Sequence, residues 1–276
     1  MENKTIVITG GGGILCSELA HAFAKEGHKI AILDLNIDKA DLVRDSINDR
    51  GGKAISVEVD VLDKQSIQVA KQKVNNELGP CDILINGAGG NHPSGTTTNS
   101  FFHESDLLSK NENFKSFFDL DPAGIQFTFN LNFIGTFLPA QIFVQDMIGR
   151  LDCNILNISS MSAYTPLTKI PAYSAAKAAV SNLTQWMSVH FAKANIRVNA
   201  IAPGFFLTEQ NKSLLTTNDG ALTDRGNSII GQTPMERFGQ PEDIAGASLW
   251  LCGKQASFVT GVVIPIDGGF NAYSGV

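Results

Sequence analysis

The apolar run Thr5–Thr9 passes directly into four glycines, Gly10–Gly13, and then into the helix-spaced stretch Ser17–Lys25. No other feature narrows the possible folds as much. A strand that ends in glycine and re-enters as a helix needs a tight turn with exposed backbone, and that turn begins a strand–helix–strand unit. The alternation then continues along the chain. Ile30–Asp34, Ala54–Val59, Ile83–Asn86, Asn154–Ser159, Arg197–Ile201 and Val262–Asp267 are short, apolar and rich in β-branched residues, which brings the predicted strands to seven. Between them, Lys39–Asp49, Lys64–Leu78, Phe129–Met147, Ala172–Ala194 and Glu242–Cys252 carry apolar residues at helical spacing.

Strands joined by helices run parallel with right-handed crossovers. The expected fold class is therefore α/β: a single Rossmann-type domain spanning the 276 residues, with a doubly wound parallel seven-stranded sheet flanked by helices. Two segments fit no regular element. Gly90–Gly124 is rich in Ser, Thr, Asn and Gly around Phe101, Phe102, Phe114, Phe117 and Phe118, and Pro203–Pro234 turns polar after its first residues. Loops this long are usually functional covers, so both are expected to be substrate-covering insertions, at about 90–124 and 204–235. The aromatic residues predict a packed first insertion with a short helix at Asn111–Phe118.

Charge and cysteine usage exclude several classes. With 21 basic and 27 acidic residues the net charge is −6, and no basic stripe is available for a phosphate backbone, which argues against nucleic acid. An apolar strand begins within five residues of Met1, leaving no room for a signal sequence, and no uninterrupted apolar run suggests a membrane span. Cys16, Cys81, Cys153 and Cys252 are too scattered for a zinc ribbon, and the five histidines form no HExxH pair, so no metal is expected. A reducing, cytoplasmic location follows from the cysteines.

Glycines at the mouth of a helix present backbone amides to an anion, which implies a bound nucleotide pyrophosphate at Gly10, Gly12 and Gly13. Asp34 closes the second strand about 20 residues later, where a carboxylate can accept both ribose hydroxyls and repel a 2′-phosphate. Leu35 and Asn36 supply no arginine beside it. Both observations favour NAD over NADP. Asp60 and Val61 could flank an adenine or form a strand-end turn. The small residues Asn86, Gly87, Ala88 and Gly89 let backbone lie against a cofactor.

Of three tyrosines only Tyr173 has a lysine four residues on, Lys177, and positions i and i+4 share a helix face. An ammonium beside a phenol would lower the phenol's pKa toward the range of a general acid/base. Ser160, at the end of a strand, could hydrogen-bond a reacting carbonyl or cap a turn. Asn132 is a polar residue on an apolar helix, with Asn130 as a competing candidate.

The order of Thr9–Gly13, Asp34, Asp60–Val61, Asn86–Gly89, Asn132, Ser160, Tyr173-xxx-Lys177, Pro203–Gly204 and Gly268–Gly269 resembles the short-chain dehydrogenase/reductases over nearly the whole chain. The resemblance implies that Tyr173 exchanges the proton of the substrate oxygen, Lys177 holds the nicotinamide ribose, Ser160 polarises the carbonyl and Asn132 orders a relay water. It adds Ile14, Leu15, Pro203, Gly204, Phe206 and Thr208 to the cofactor set. Ile14 and Cys16 depart from the family pattern, standing where its second and third glycines occur.

Within that family, the segments from Ile85 to Thr98, Phe129 to Gln141 and Thr165 to Lys177 are similar to the D-mannonate oxidoreductase (fructuronate reductase) branch. The implied reaction is hydride transfer at C5 between D-fructuronate and D-mannonate. A sugar-acid carboxylate needs a cationic or donor-rich wall, for which Asn91, His92 and Lys169 are the candidates, with Thr96–Thr98 as further hydroxyl partners. The resemblance also implies a homotetramer or homodimer, with Trp186, Phe191 and the C-terminal strand at its interfaces. The alternatives are a gluconate 5-dehydrogenase or another polyol or aldonate dehydrogenase, and a nucleotide-sensing regulator without turnover. A sugar epimerase is disfavoured because no separate C-terminal substrate domain follows.

Overall fold

In the computed structural model, which describes residues 3–109, 111–208, 212–217 and 219–275, seven strands form one parallel sheet in the order β3-β2-β1-β4-β5-β6-β7. They are β1 (Thr5–Thr9), β2 (Lys29–Asp34), β3 (Lys53–Glu58), β4 (Ile83–Asn86), β5 (Cys153–Ile158), β6 (Ile196–Pro203) and β7 (Val263–Ile266). Every strand pairing is parallel, with Ile8 opposite Ile32 on one side of β1 and opposite Ile85 on the other. All seven predicted strands are present, with ends shifted by a few residues at most.

Side-chain alternation splits the interior into two layers. Val7, Leu84, Ile155 and Val198 point to the face covered by α3 (Lys64–Glu77), α5 (Gly135–Phe143) and α6 (Pro171–His190). Ile6, Ile8, Ile32, Ile85 and Ile201 point to the face covered by α1 (Ile14–Lys25), α2 (Ile37–Asp49) and α9 (Ala245–Cys252). Strands buried on both faces read as continuous apolar runs, which is why they were legible. Each fully buried aliphatic chain contributes about 1.5–3 kcal/mol.

The predicted helix Phe129–Met147 differs in both extent and form. It starts earlier, as α4 (Pro122–Phe129), with Asp121 capping the amide of Ala123 and Pro122 in the first turn. A π-helical segment, Asn130–Ile134, then joins it to α5. The stretch Pro122–Asp146 is long and apolar enough to cross a membrane by length and composition, but half of its most apolar window is buried inside the protein, as in a core helix.

The insertion after β4 has no helix at Asn111–Phe118. It carries short 3-10 turns at Pro93–Gly95, Glu104–Leu108 and Phe117–Asp119 instead. Phe101, Phe102, Phe117 and Phe118 are exposed, and Phe118 packs edge-on against both Phe102 and Phe117 instead of entering the core. Local bonds hold this segment: Asp119 accepts from the amide and hydroxyl of Ser116, and Asp106 accepts from the amide of His103. The segment after β6 is more ordered than its polar composition predicts. It contains α7 (Lys212–Leu215) and α8 (Asp224–Gly231), and a small core of Leu215, Ile229 and Phe238.

Candidate active site

The strand order reverses between β1 and β4, and a doubly wound sheet opens a crevice at the carboxyl ends of such strands. The glycine turn leaves β1 there. Gly10 has a left-handed φ of +64°, and a Cβ on it would lie 2.9 Å from the backbone of Ala88. A Cβ on Gly12 would lie 2.7 Å from Lys39 Cβ and 3.1 Å from Asp34 Oδ2. These two glycines keep a narrow cradle clear. Gly13 caps α1 with no side chain to accept the first helix amides, so Ile14 and Leu15 begin a helix whose donors face the crevice, as phosphate sites require.

Asp34 is half-exposed at the end of β2. Its Oδ2 accepts the Gly12 amide at 2.9 Å and its Oδ1 accepts the Asn36 amide at 2.9 Å. These two bonds aim the carboxylate at the cradle, where ribose hydroxyls would fit and a second phosphate would be repelled. The missing family glycine at Cys16 has a local compensation. The Cys16 thiol is buried against Gly87, where a Cβ would stand only 2.1 Å from Sγ, and burial pushes its pKa up to about 12.

Other predicted cofactor residues play different local parts. Asp60 is exposed and closes a turn, accepting the Leu62 amide at 2.8 Å, while Val61 is buried against Gly135. Asn86 donates to Asn157 Oδ1 at 2.9 Å, and Asn157 donates to Thr184 Oγ1 at 2.9 Å. The Asn86 side chain is a buried strut between sheet and α6, which leaves only its backbone to lie against a cofactor. Thr9 Oγ1 accepts the amides of Gly87 and Ala88, which fixes the end of β4 to that of β1. Pro203 ends β6, and Gly204 packs on Asp267, where a Cβ would lie 2.6 Å from its Cα. Phe206 is buried, its ring against Gly239, so its side chain belongs to the core; Thr208 is half-exposed, and its carbonyl accepts the Lys212 amide.

Asn132, Ser160, Tyr173 and Lys177 come together at this crevice from different elements. Ser160 follows β5, is 8% exposed, and its Oγ accepts from the amide and hydroxyl of Ser162. Tyr173 lies in the first turn of α6, begun by Pro171, and hydrogen-bonds Ser160. Lys177, 3% exposed, donates to the Ile158 carbonyl at 2.8 Å, with Nζ 5.7 Å from the centre of the Tyr173 ring. Asn132 sits in the π segment, fully buried. Its Nδ2 donates to the carbonyls of Gly90 (2.7 Å) and Thr128 (2.8 Å), and its Oδ1 accepts the Gly90 amide. The extra residue of a π turn rotates Asn132 toward β4, a placement common at functional sites. A Cβ on Gly89 would meet Asn132 Oδ1 at 2.6 Å and Lys177 Nζ at 3.2 Å, so Gly89 is the point where the two converge.

The electrostatics differ from the sequence expectation in one respect. Removal from water raises the Tyr173 pKa, and the Ser160 hydrogen bond opposes that only in part. Burial also pushes Lys177 down, from 10.5 to about 8. Desolvation is the largest influence on both groups, and Nζ is committed to the Ile158 carbonyl.

The proposed substrate residues occupy the insertion and its neighbour. Asn91 is exposed and donates to Thr96 Oγ1 at 2.8 Å. His92 accepts the Ser94 amide at Nδ1 and packs edge-on against Phe127, with ring centres 5.1 Å apart. Lys169 is half-buried, with a left-handed φ of +73°. Among the described residues no group of three or more His, Cys, Asp or Glu could hold a metal ion.

A profile described as "Enoyl-(Acyl carrier protein) reductase" matches residues 14–271. The chain belongs to the short-chain dehydrogenase/reductase family of oxidoreductases. A crystal structure of a candidate D-mannonate oxidoreductase from Haemophilus influenzae, with bound NAD, superimposes with a TM-score of 0.95 at 53% identity, covering 100% of this chain and 98% of that one. An uncharacterized oxidoreductase of Bacillus subtilis, UxuB, is 50% identical over 277 residues, 100% of this chain and 98% of its own. The 5-keto-D-gluconate 5-reductase of Escherichia coli is 30% identical over 269 residues, 98% of this chain and 96% of its own.

Proposed function

We propose that this protein is an NAD(H)-dependent sugar-acid oxidoreductase that interconverts D-fructuronate and D-mannonate at C5. The observation that carries this reading is the convergence of Ser160, Tyr173, Lys177 and Asn132 beside a side-chain-free glycine cradle addressed by Asp34. The likeness to a D-mannonate oxidoreductase structure that holds NAD supports the choice of cofactor and substrate.

The residues fit a dinucleotide. Gly10, Gly12 and Gly13 leave room for a pyrophosphate at the start of α1, Asp34 would take the adenosine ribose hydroxyls, and Lys177 the nicotinamide ribose. When bound, the nicotinamide supplies the hydride for reduction or accepts it in the reverse direction. Ser160 donates its hydroxyl hydrogen to the substrate carbonyl and increases its polarisation. Tyr173 delivers the proton to the same oxygen; its raised pKa keeps the phenol protonated near neutrality, the form that reduction consumes. Asn132 holds the root of the insertion against α4 through Gly90 and Thr128, and its Oδ1 faces the Lys177 ammonium across Gly89. This path can return a proton to Tyr173 through ordered water. The insertions at about 90–124 and 204–235 cover the substrate and exclude water.

Trp186 is 55% exposed on α6 and stacks on His190, which suits a helix face covered by another subunit of a homotetramer. Four free, buried thiols suit a reducing cytoplasmic compartment. The test of function is NADH consumption with a panel of keto-sugar acids. D-fructuronate should give the highest kcat/KM. A higher value with 5-keto-D-gluconate would overturn the substrate, and no NADH oxidation with any keto acid would overturn the reaction.

A further inference from the structure

A buried hydroxyl has one hydrogen to give and two lone pairs to fill, and where all three are directed decides what it can do. Ser162 is 1% exposed, and its hydroxyl has no part in the chemistry described so far. That hydroxyl donates to Ser160 Oγ at 3.0 Å and, among the described residues, bonds to nothing else. The Ser162 amide donates to the same oxygen at 3.2 Å, so one residue directs two hydrogens at the serine that polarises the substrate. The polar groups around them are committed elsewhere. Ser159 Oγ is shared between Ser181 Oγ at 2.7 Å and the Lys177 carbonyl at 3.2 Å, Lys177 Nζ donates to the Ile158 carbonyl, and the Asn132 amide group donates to Gly90 and Thr128.

Ser160 Oγ thus has both lone pairs filled from one side. An oxygen in that state has only its own hydrogen left to offer, so in the Ser160–Tyr173 contact the serine donates and the phenol oxygen accepts. The same hydrogen meets an incoming carbonyl without reorientation. Two incoming bonds also polarise the Ser160 O–H, since hydrogen bonds in a chain reinforce one another. The amide half of this arrangement is an ordinary cap: Ser160 precedes the 3-10 turn Met161–Ala163 and accepts the Ser162 amide as capping residues do. The hydroxyl half is not needed by the turn, which is capped by the amide bond alone.

We propose that Ser162 is a positioning residue whose hydroxyl fills the second lone pair of Ser160 and so locks Ser160 as a hydrogen-bond donor to the reacting oxygen. It acts through Ser160 alone. This rests on the carbonyl reduction proposed above and on no particular sugar acid. Without the Ser162 hydroxyl, the freed lone pair can accept the Tyr173 hydroxyl. The Ser160–Tyr173 bond then turns around, the hydrogen that reduction must transfer is held by Ser160 Oγ, and the substrate carbonyl is less polarised.

The test compares the wild type with Ser162→Ala, Ser162→Thr, Ser160→Ala and the double variant of Ser160→Ala with Ser162→Ala, on whichever of D-fructuronate and 5-keto-D-gluconate the wild type reduces faster. Ser162→Ala should lower kcat about tenfold, the loss of one hydrogen bond's contribution to the transition state, with KM for NADH and the melting temperature unchanged. Ser162→Thr keeps the hydroxyl and should restore most of kcat. In the Ser160→Ala background the Ser162→Ala change should have no further effect, because its route to the substrate is gone. Tyrosinate absorbance in an alkaline titration, taken as the difference from the matching Tyr173→Phe protein, should show Tyr173 titrating higher in Ser162→Ala than in the wild type. An unchanged kcat, a loss that recurs in full on Ser160→Ala, or a Tyr173 titration that does not move overturns the lock and leaves the proposed function standing. The expected pattern with 5-keto-D-gluconate as the faster substrate overturns the named sugar acid and upholds the lock. A wild type that reduces no keto acid overturns the reaction, and the Tyr173 titration then upholds or overturns the lock by itself.

Discussion

Lys177→Met isolates the energetic cost of holding an ammonium in the site. In the fold the lysine titrates at about 8 instead of 10.5 because it is buried. At about 1.36 kcal/mol per pKa unit, this corresponds to about 3 kcal/mol of destabilisation at neutral pH. The unfolded chain holds this proton up to pH 10.5 and the folded chain only to about 8, so between those values the unfolded state binds more protons. Stability from this group therefore rises with pH, and about 1 kcal/mol of the cost is relieved between pH 7 and 9. The buried thiols act in the opposite sense at higher pH, since Cys16 and Cys252 are pushed up to about 12 from 9, and the variant retains them. Urea unfolding of both proteins at several pH values from 7 to 9 should thus show the wild type gaining about 1 kcal/mol on Lys177→Met. Methionine is nearly isosteric but loses the charge-assisted bond to the Ile158 carbonyl, worth about 1.5–3 kcal/mol, so the difference in pH dependence, and not the absolute stability at pH 7, distinguishes the two proteins. Parallel pH profiles would refute the reasoning.

Tyr173→Phe removes the proton donor but leaves the cradle intact. NADH affinity, measured by fluorescence titration, should hold while kcat falls by about 100-fold or more; unchanged turnover would exclude Tyr173 as the acid. Asp34→Ala deletes the carboxylate that Gly12 and Asn36 orient, and should shift the NADH-to-NADPH ratio of kcat/KM toward NADPH by about tenfold. A wild type that already prefers NADPH would contradict that role. Gly87→Ala would place a methyl 2.1 Å from the Cys16 sulfur and should lower the melting temperature by several degrees. Cys16→Gly in the same chain should restore most of it, and a double variant no more stable than Gly87→Ala would separate the two positions.

The sheet was legible because strands buried on both faces have to be continuously apolar, and each is bounded by glycine or acidic turn residues. The helix before β5 was misplaced at its start, although Asp121 and Pro122 carry a capping signal that can be read from sequence. Its π segment leaves no such signal, because it is settled by tertiary contacts, packing against α6 and the Asn132 bonds to Gly90, and not by local propensity. The two insertions were read as irregular. For the second this missed α8, whose few apolar residues, Ile229 and Ile230, belong to a small separate cluster with Leu215, Phe238, Phe205, Leu207 and Leu222.

Spacing alone placed Tyr173 and Lys177 on one face of a helix, as the structure has them, but the phenol's pKa is raised where the spacing predicted a lowering. A helical i, i+4 pair fixes which face two side chains share, whereas a pKa depends on where the charged atoms end and how much water they keep. Here Nζ ends on a strand carbonyl and both groups lose solvent, so each is held away from its charged form. The buried lysine lowers folding stability at neutral pH, whereas the phenol, protonated in both states there, does so only as pH nears 10. Their retention beside an open cradle makes sense if the missing interactions arrive with the ligands: ribose hydroxyls for the ammonium, and the substrate oxygen for the phenol. Catalytic readiness in this site would then be a property of the ternary complex, with the free protein holding a protonated phenol and an ammonium still charged at neutral pH until cofactor and substrate supply their partners.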